Sequence, residues 1–89
     1  MGVKTNLNEL RKRQVLALHA CGLRDAEIAA MVGYKQPATV CGVRKRLGLE
    51  SNDYLRSEGW LGKNGKVMSD QAIYAEARRA MKRIKEAAK

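Results

Sequence analysis

Three adjacent basic residues, Arg44, Lys45 and Arg46, lie near the end of a segment that reads GYKQPATVCGVRKRLGL over residues 33–49. The same segment holds the chain's only proline and a run of small side chains. Adjacent positive charges repel each other, and small side chains add little to a hydrophobic core. Both features are accounted for if a negatively charged partner lies against this segment. Recognition of an anion is therefore the first chemistry that the sequence indicates.

The composition of the whole chain agrees with an anionic partner. Eighteen Lys and Arg residues stand against 9 Asp and Glu, which gives a formal charge of +9 in 89 residues. Such an excess costs self-repulsion, and the usual partner that offsets it is a polyanion. The alternative is a basic protein whose charges only keep it in solution. The length predicts one small domain, and the absence of Phe predicts a core built from aliphatic residues and Met.

The pattern of helix formers and helix breakers predicts an all-α fold. We expect helices over about residues 8–21, 24–32 and 37–47, which are rich in Ala, Leu, Val and Arg. Gly22 and Gly33 follow the first two of these segments, where a left-handed residue commonly ends a helix. The third segment begins at its proline, which suits the first helical turn. These three helices form the predicted first domain, residues 1–49.

Capping residues support the predicted helix starts. Asn6 or Asn8 is placed to cap the first helix, Asp25 the second, and Ser69 the last. The last helix then extends over the third predicted region, residues 69–89, and is basic and amphipathic.

Helical periodicity is lost between these regions, in residues 50–68. The pair Asn64-Gly65 is a weak signal for a short β-hairpin, since Asn-Gly suits a two-residue turn. An irregular loop is the alternative for this segment. Lys63 and Lys66 flank the pair, so the turn is either a wing that contacts a phosphate backbone or a plain surface turn.

The last helix carries a narrow apolar seam on one side. Its residues are spaced by four and three positions, which is typical of helix–helix contacts. The seam predicts either a homodimer through this helix or packing back onto the first domain. A dimer would present two copies of the predicted third helix, residues 37–47, about 34 Å apart, which is one turn of DNA. The seam residues are Ile73, Ala77, Ala80, Ile84 and Ala87.

The segment 37–47 has two distinct faces when it is placed on a helix. Val40, Val43 and Leu47 fall within about 60° of each other and predict a buried stripe. The opposite face presents small and basic side chains, whose size would allow the helix backbone to enter a groove about 12 Å wide, the DNA major groove. The side chains on and beside this face are Ala38, Thr39, Cys41, Gly42, Lys45 and Arg46.

The predicted helix 24–32, the glycine-containing turn after it and the helix 37–47 together have the helix-turn-helix layout. The run RQVLALHACGLRDAEIAAMVGYKQPATVCGVRKRL resembles the helix-turn-helix of LuxR-type regulators and the region-four domain of sigma factors. The ending VRKRLGL is similar to GcrA-like and homeodomain-like small regulators of bacteria and phages. The resemblance covers about residues 11–49. Its framework positions are Val15, Leu18, Gly22, Leu23, Ile28, Ala29, Gly33, Val40, Val43 and Leu47.

The resemblance implies a set of DNA contacts. It implies groove-facing positions at Gln36, Ala38, Thr39, Gly42, Lys45 and Arg46, and positions nearer the DNA backbone at Lys35 and Arg44. The chain departs from these families in two places. Arg24 stands where they usually have Ser or Thr, which moves the expected cap to Asp25, and the turn from Gly33 to Pro37 is one residue longer than in LuxR-type proteins.

No other motif predicts catalysis or a cofactor. His19, Cys21 and Cys41 lack the spacing of a structural zinc site, and no catalytic constellation or phosphate-binding loop is visible. We therefore expect no enzyme, no metal and no cofactor, and we interpret the cysteines as reduced thiols. Trp60, the only Trp, is expected to cover a thin core, with stacking on a base as the alternative.

The sequence therefore predicts a transcriptional regulator of phage or bacterial origin that binds double-stranded DNA. The alternatives are a protein-interaction adaptor that contacts RNA polymerase and a small terminase-like subunit for DNA packaging. No apolar run approaches the ~18–20 residues that span a bilayer, so no membrane is expected as a partner. The predicted location is cytoplasmic, on the nucleoid.

Overall fold

A computed structural model describes residues 7–87 of the chain, and these form five α-helices. The helices are α1 (Leu7–Ala20), α2 (Asp25–Val32), α3 (Pro37–Arg46), α4 (Asp53–Glu58) and α5 (Asp70–Ala87). The all-α prediction is confirmed, and the first three helices and the last one lie close to their predicted bounds. The predicted cap of α1, Asn6 or Asn8, involves side chains outside the described part of the chain.

Local interactions explain where α2 begins and ends. Its cap residue is Arg24 rather than the predicted Asp25. The backbone N–H of Arg24 donates to Glu27 Oε1 at 2.8 Å, which satisfies one of the free donors at the helix start. At the other end Gly33 adopts φ 97°, and its N–H donates to the Ala29 carbonyl at 2.9 Å. A side chain at Gly33 would strain this left-handed turn, so glycine is what allows the chain to turn towards α3.

The hydrophobic core is centred on α1, which packs against α2, α3 and α5. Leu18 is fully buried, and most other core side chains are equally shielded from solvent. Burying an aliphatic side chain of this size contributes about 1.5–3 kcal/mol, so this cluster supplies most of the stabilisation. Six of its members are framework positions of the helix-turn-helix resemblance. The cluster is Val15, Leu18, Leu23, Ile28, Ala29, Val40, Ile73 and Ala77.

Three residues of the α5 seam are buried within a single chain, so these three are not free to form the dimer interface that was one of the two predictions, while self-association of the protein stays a prediction. Ile73, Ala77 and Ala80 are only 1%, 0% and 5% exposed within a single chain, and α5 packs on α1. Ile84 is half-buried and Ala87 is exposed, so the end of the seam alone reaches the surface. The alternative, packing back onto the first domain, is what the structure has. The physical reason is that α5 gives α1 a third apolar neighbour in addition to α2 and α3.

Residues 50–68 contain more helix and less hairpin than predicted. The six-residue α4 (Asp53–Glu58) was missed because fewer than two turns show no clear period. Within residues 7–87 no strand is formed, and an isolated antiparallel bridge joins Leu61 to Val67. Asn64-Gly65 does form the turn, in which the Lys66 N–H donates to Asn64 Oδ1 at 3.1 Å. The segment is thus a short helix followed by a tight turn with one bridge.

Asn52 and Trp60 help to attach this segment to the first domain. Asn52, only 4% exposed, donates through Nδ2 to the carbonyls of His19 and Leu23, each at 2.9 Å. Trp60 packs against the core, which confirms the prediction that it covers a thin core. Its ring lies directly over Gly22, where a Cβ would come within 2.6 Å of the indole. Gly22 is therefore needed both for its φ of 96° and for the close approach of Trp60.

Candidate nucleic-acid interface

The third helix lies at the surface with one face buried and one face open. Val40 is buried, while Val43 and Leu47 are half-buried, so the predicted inner stripe is the side that packs on the protein. The turn of residues 33–36 joins α3 to α2, and the two helices pack against each other. A ten-residue helix is about 15 Å long, which is sufficient to present several side chains to a groove.

Most of the residues that the sequence predicted to contact DNA lie on the outer face of α3 or in the turn of residues 33–36 before it. Their side chains are exposed at both ends of the helix, and Gly42 at its centre is half-buried. A Cβ added at Gly42 would have Arg46 Nη2 as its nearest neighbour, at 3.9 Å. Packing within the protein therefore does not require glycine at this position, and the open space lies outside the fold. The exposed residues are Lys35, Gln36, Ala38, Thr39, Lys45 and Arg46.

The cations on this face have no anionic partner within the described part of the chain. The ion pairs that residues 7–87 form involve other bases, so Lys35, Lys45 and Arg46 are left unpaired. Exposed cations without partners keep their full charge available for an external anion. The arrangement fits phosphate oxygens or the O6 and N7 acceptors of guanine, which Arg and Lys bind most often.

Arg44 does not belong to this face, and the prediction that it lies near the DNA backbone is wrong. It is 9% exposed, and its Nε and Nη2 donate to Asp25 at 3.0 and 3.2 Å. Nη1 also donates to the Leu49 carbonyl at 3.0 Å. The hydrogen bond to Asp25 raises the pKa of Arg44, which therefore stays charged. Arg44 thus ties α3 to the start of α2 and to the chain that follows α3.

The turn between α2 and α3 is supported from α1. The guanidinium of Arg11 lies 5.0 Å from the ring centroid of Tyr34, which is a cation–π distance. Tyr34 is half-buried and packs against the core, so this contact helps to hold the turn that precedes Lys35 and Gln36. The position of the start of α3 is therefore set by α1 as well as by α2.

A charged network on α2 links the first domain to α4 and α5. Glu27 accepts hydrogen bonds from the Arg24 N–H, from Arg56 Nη1 at 2.6 Å and from the Tyr74 hydroxyl. Burial acts to raise the pKa of Glu27, but these hydrogen bonds and the charge of Arg56 outweigh it and lower the pKa to about 2. Arg56 also donates to the Gly22 carbonyl at 3.1 Å. Glu27 therefore carries its negative charge at neutral pH, and its role is structural.

Sequence reasoning missed this network. The side chain of Arg56 is 5% exposed and also pairs with Asp70 at 2.9 Å, at the start of α5. Its partners lie far from it in the chain, and nothing in their spacing indicates that they meet. The network orients α4 and α5 against α2 and leaves the outer face of α3 open.

Of the two free cysteines, Cys41 lies on α3 and Cys21 lies just after α1. Cys21 lines a surface pocket of about 470 Å³ beside Trp60, Met68 and Glu76. Burial is the main cause that raises the pKa of the Cys21 thiol, so it is protonated at neutral pH and a weak nucleophile. Among the residues that the structure describes, no three His, Cys, Asp or Glu side chains form a group that could hold a metal ion. Nor is any described helix both long and apolar enough to cross a membrane.

Comparison with protein-family models, curated proteins and solved structures finds no match to this chain. The similarity to helix-turn-helix regulators therefore rests on the sequence pattern alone.

Proposed function

We propose that the protein binds double-stranded DNA with sequence preference and acts as a transcriptional regulator, with α3 inserted in the major groove. The observation that carries this proposal is the outer face of α3, which is exposed and has small residues at its centre. Lys45 and Arg46 on this helix and Lys35 in the turn before it form no ion pair within residues 7–87. Small side chains let the helix backbone approach the floor of the groove, and the bases contact its acceptors and phosphates.

Each exposed residue has a physical role in this proposal. Lys45 and Arg46 contact guanine acceptors or phosphates near the end of α3, and Lys35 contacts the backbone beside its start. Gln36 offers both a donor and an acceptor to a base edge, while the Thr39 methyl suits a thymine methyl. Ala38 and Gly42 give clearance. Arg44 takes no part in binding and holds α3 in position through Asp25.

The proposal places the protein on the nucleoid, where it would compete among a large excess of non-specific sites. Such competition demands a specificity ratio of about 10³ or more over random DNA. This specificity ratio separates the regulator from the protein-interaction adaptor, because an adaptor requires no preferred DNA sequence.

Selection of bound fragments from sheared genomic DNA of the parent organism, followed by gel shift, tests the proposal. We expect one short sequence to be enriched and to bind at least about a thousandfold more tightly than a scrambled duplex of the same length and composition. Equal affinity for the selected and scrambled duplexes would reject the regulator and favour a protein that contacts DNA without reading it.

A further inference from the structure

A second basic site lies between α2 and α5, apart from the outer face of α3. Met31 of α2 and Met81 of α5 form the apolar part of a groove of about 340 Å³. Both methionines are half-buried and pack against the core, so the groove is a fixed feature of the fold. Three exposed bases of α5 complete it: Arg78, Lys82 and Lys85.

The bases are arranged along one side of α5. Arg78, Lys82 and Lys85 are spaced by four and three residues, so their side chains follow a single strip of the helix. In the described part of the chain none of the three forms an ion pair, whereas Arg79 pairs with Glu76 on a different side of the helix. The groove thus combines an apolar floor with a positive rim that lacks anions.

We infer that this groove is a docking site for an acidic, amphipathic segment of a partner protein. Charge complementarity requires a negatively charged partner. Three cations in one strip, which form no ion pair within residues 7–87, favour several carboxylates at matching spacing. The apolar floor requires apolar side chains between those carboxylates. Methionine adapts its shape to different apolar side chains, which is why it recurs at surfaces that bind helices.

The floor also distinguishes a protein segment from DNA. A phosphate backbone offers charge but no apolar side chain to fill a groove lined by Met31 and Met81. Contact with DNA would be expected to involve exposed bases without a dependence on the methionines. In addition, none of the residues that line the groove belongs to α3, and α5 packs on α1 and not on α3. The inference does not rest on the proposed DNA binding.

A designed peptide provides the probe. The sequence EALEELEEALEE places its leucines on one face of a helix and its carboxylates on the others, and the control EASEESEEASEE keeps the charge and removes the leucines. Titration of protein labelled with ¹³C at the methionine methyl groups reports the site directly. We expect saturable shifts at Met31 and Met81 with EALEELEEALEE, and none at Met68, which lies in another pocket.

Charge-reversal variants identify the rim. Arg78→Glu and Lys82→Glu are each expected to weaken peptide binding about tenfold, because each replaces an attraction by a repulsion. Arg83→Glu is the matched control: it makes the same charge change on the same helix, at an exposed position outside the groove. It is expected to change the affinity less than twofold. Preserved helical circular dichroism shows that each variant is folded.

Three results would overturn the inference. The first is equal binding of the leucine and serine peptides, which would reduce the site to general electrostatics. The second is equal weakening by Arg78→Glu and Arg83→Glu. The third is a selective loss of affinity for random duplex DNA in Arg78→Glu but not in Arg83→Glu, which would assign the groove to DNA.

Discussion

Arg44 of α3 and Asp25 of α2 form a two-point ion pair, with Nε to Oδ1 at 3.0 Å and Nη2 to Oδ2 at 3.2 Å. The side chains are 11% and 23% exposed, so this pair is screened far less than one at the surface. The pair joins α2 to α3, the two helices on either side of the turn. The orientation of the outer face of α3 therefore depends on a contact that lies on the inner side of the helix.

Removing Arg44 should lower stability and leave recognition intact in the molecules that fold. Arg44→Ala is expected to lower the free energy of unfolding by about 2–4 kcal/mol, because Asp25 is left partly buried without its partner. Urea denaturation followed by circular dichroism measures this change. DNA affinity, corrected for the folded fraction, is expected to stay within about twofold of wild type. A tenfold loss in fully folded protein would show that Arg44 contacts DNA.

Substitution of the exposed bases should have the opposite effect. Lys45→Ala and Arg46→Ala are each expected to weaken binding to the selected sequence by about 1–3 kcal/mol, as for a lost base contact. Neither should change stability by more than about 0.5 kcal/mol, since both side chains are exposed and form no ion pair within residues 7–87. Arg83→Ala, an exposed base on α5, is the matched control. Gel shift of all variants beside wild type makes the comparison, and unchanged affinity in both α3 variants would reject α3 as the recognition helix.

The affinity for DNA should fall steeply with salt. If about five phosphates are neutralised, the logarithm of the binding constant falls with a slope near −4 to −5 against the logarithm of salt concentration. Anisotropy titrations at several salt concentrations, on both the selected and a random duplex, give this slope. A substitution that removes one phosphate contact, at Lys35 for example, should make the slope shallower by about 0.9. A slope near zero would mean that the positive charge serves a partner other than nucleic acid.

Glu27 should make the fold acid-sensitive in a defined range. Its folded pKa of about 2 lies below the ordinary value of 4.5, so the folded state favours the carboxylate. The resulting stabilisation, about 2–3 kcal/mol, is complete above pH ~4.5 and is lost as the pH falls towards 2. Urea midpoints of wild type and Glu27→Gln, compared at pH 7 and pH 3, isolate this residue. The stability difference between them is expected to shrink by about 2 kcal/mol at pH 3, and a difference that does not depend on pH would contradict the assignment.

Removal of α5 should unfold the domain. The apolar pattern of residues 1–49 predicts that a chain ending at Ser69 folds alone, but Ile73 and Ala77 belong to the core around α1. Ile73→Ala in the full chain is expected to cost about 2–5 kcal/mol, and the truncated chain is expected to lose most of its helical signal. Circular dichroism of the truncated chain and urea denaturation of Ile73→Ala measure these effects. A truncated chain with a cooperative unfolding transition would show that α1 to α3 are sufficient.

Sequence and structure agree where local interactions decide the outcome. Gly33 and Pro37 mark the turn between α2 and α3 because one permits a left-handed residue and the other suits the first turn of a helix. The inner stripe of α3 follows from helical periodicity, which depends only on positions along the chain. Arg44 could have been assigned by the same rule, since it lies four residues after Val40 and three before Leu47. The resemblance to helix-turn-helix regulators implied a position for Arg44 near the DNA backbone, whereas its position on the helix indicates the inner face.

Only the tertiary structure decided which partner covers each apolar or charged group. An apolar seam on α5 is visible in the sequence, but periodicity does not distinguish α1 of the same chain from a second copy of α5. The network around Glu27 joins Arg56 and Tyr74, which lie 29 and 47 residues away from it. Contacts at such separations depend on how the helices pack, and packing is set by the shape and burial of the whole core rather than by any one segment.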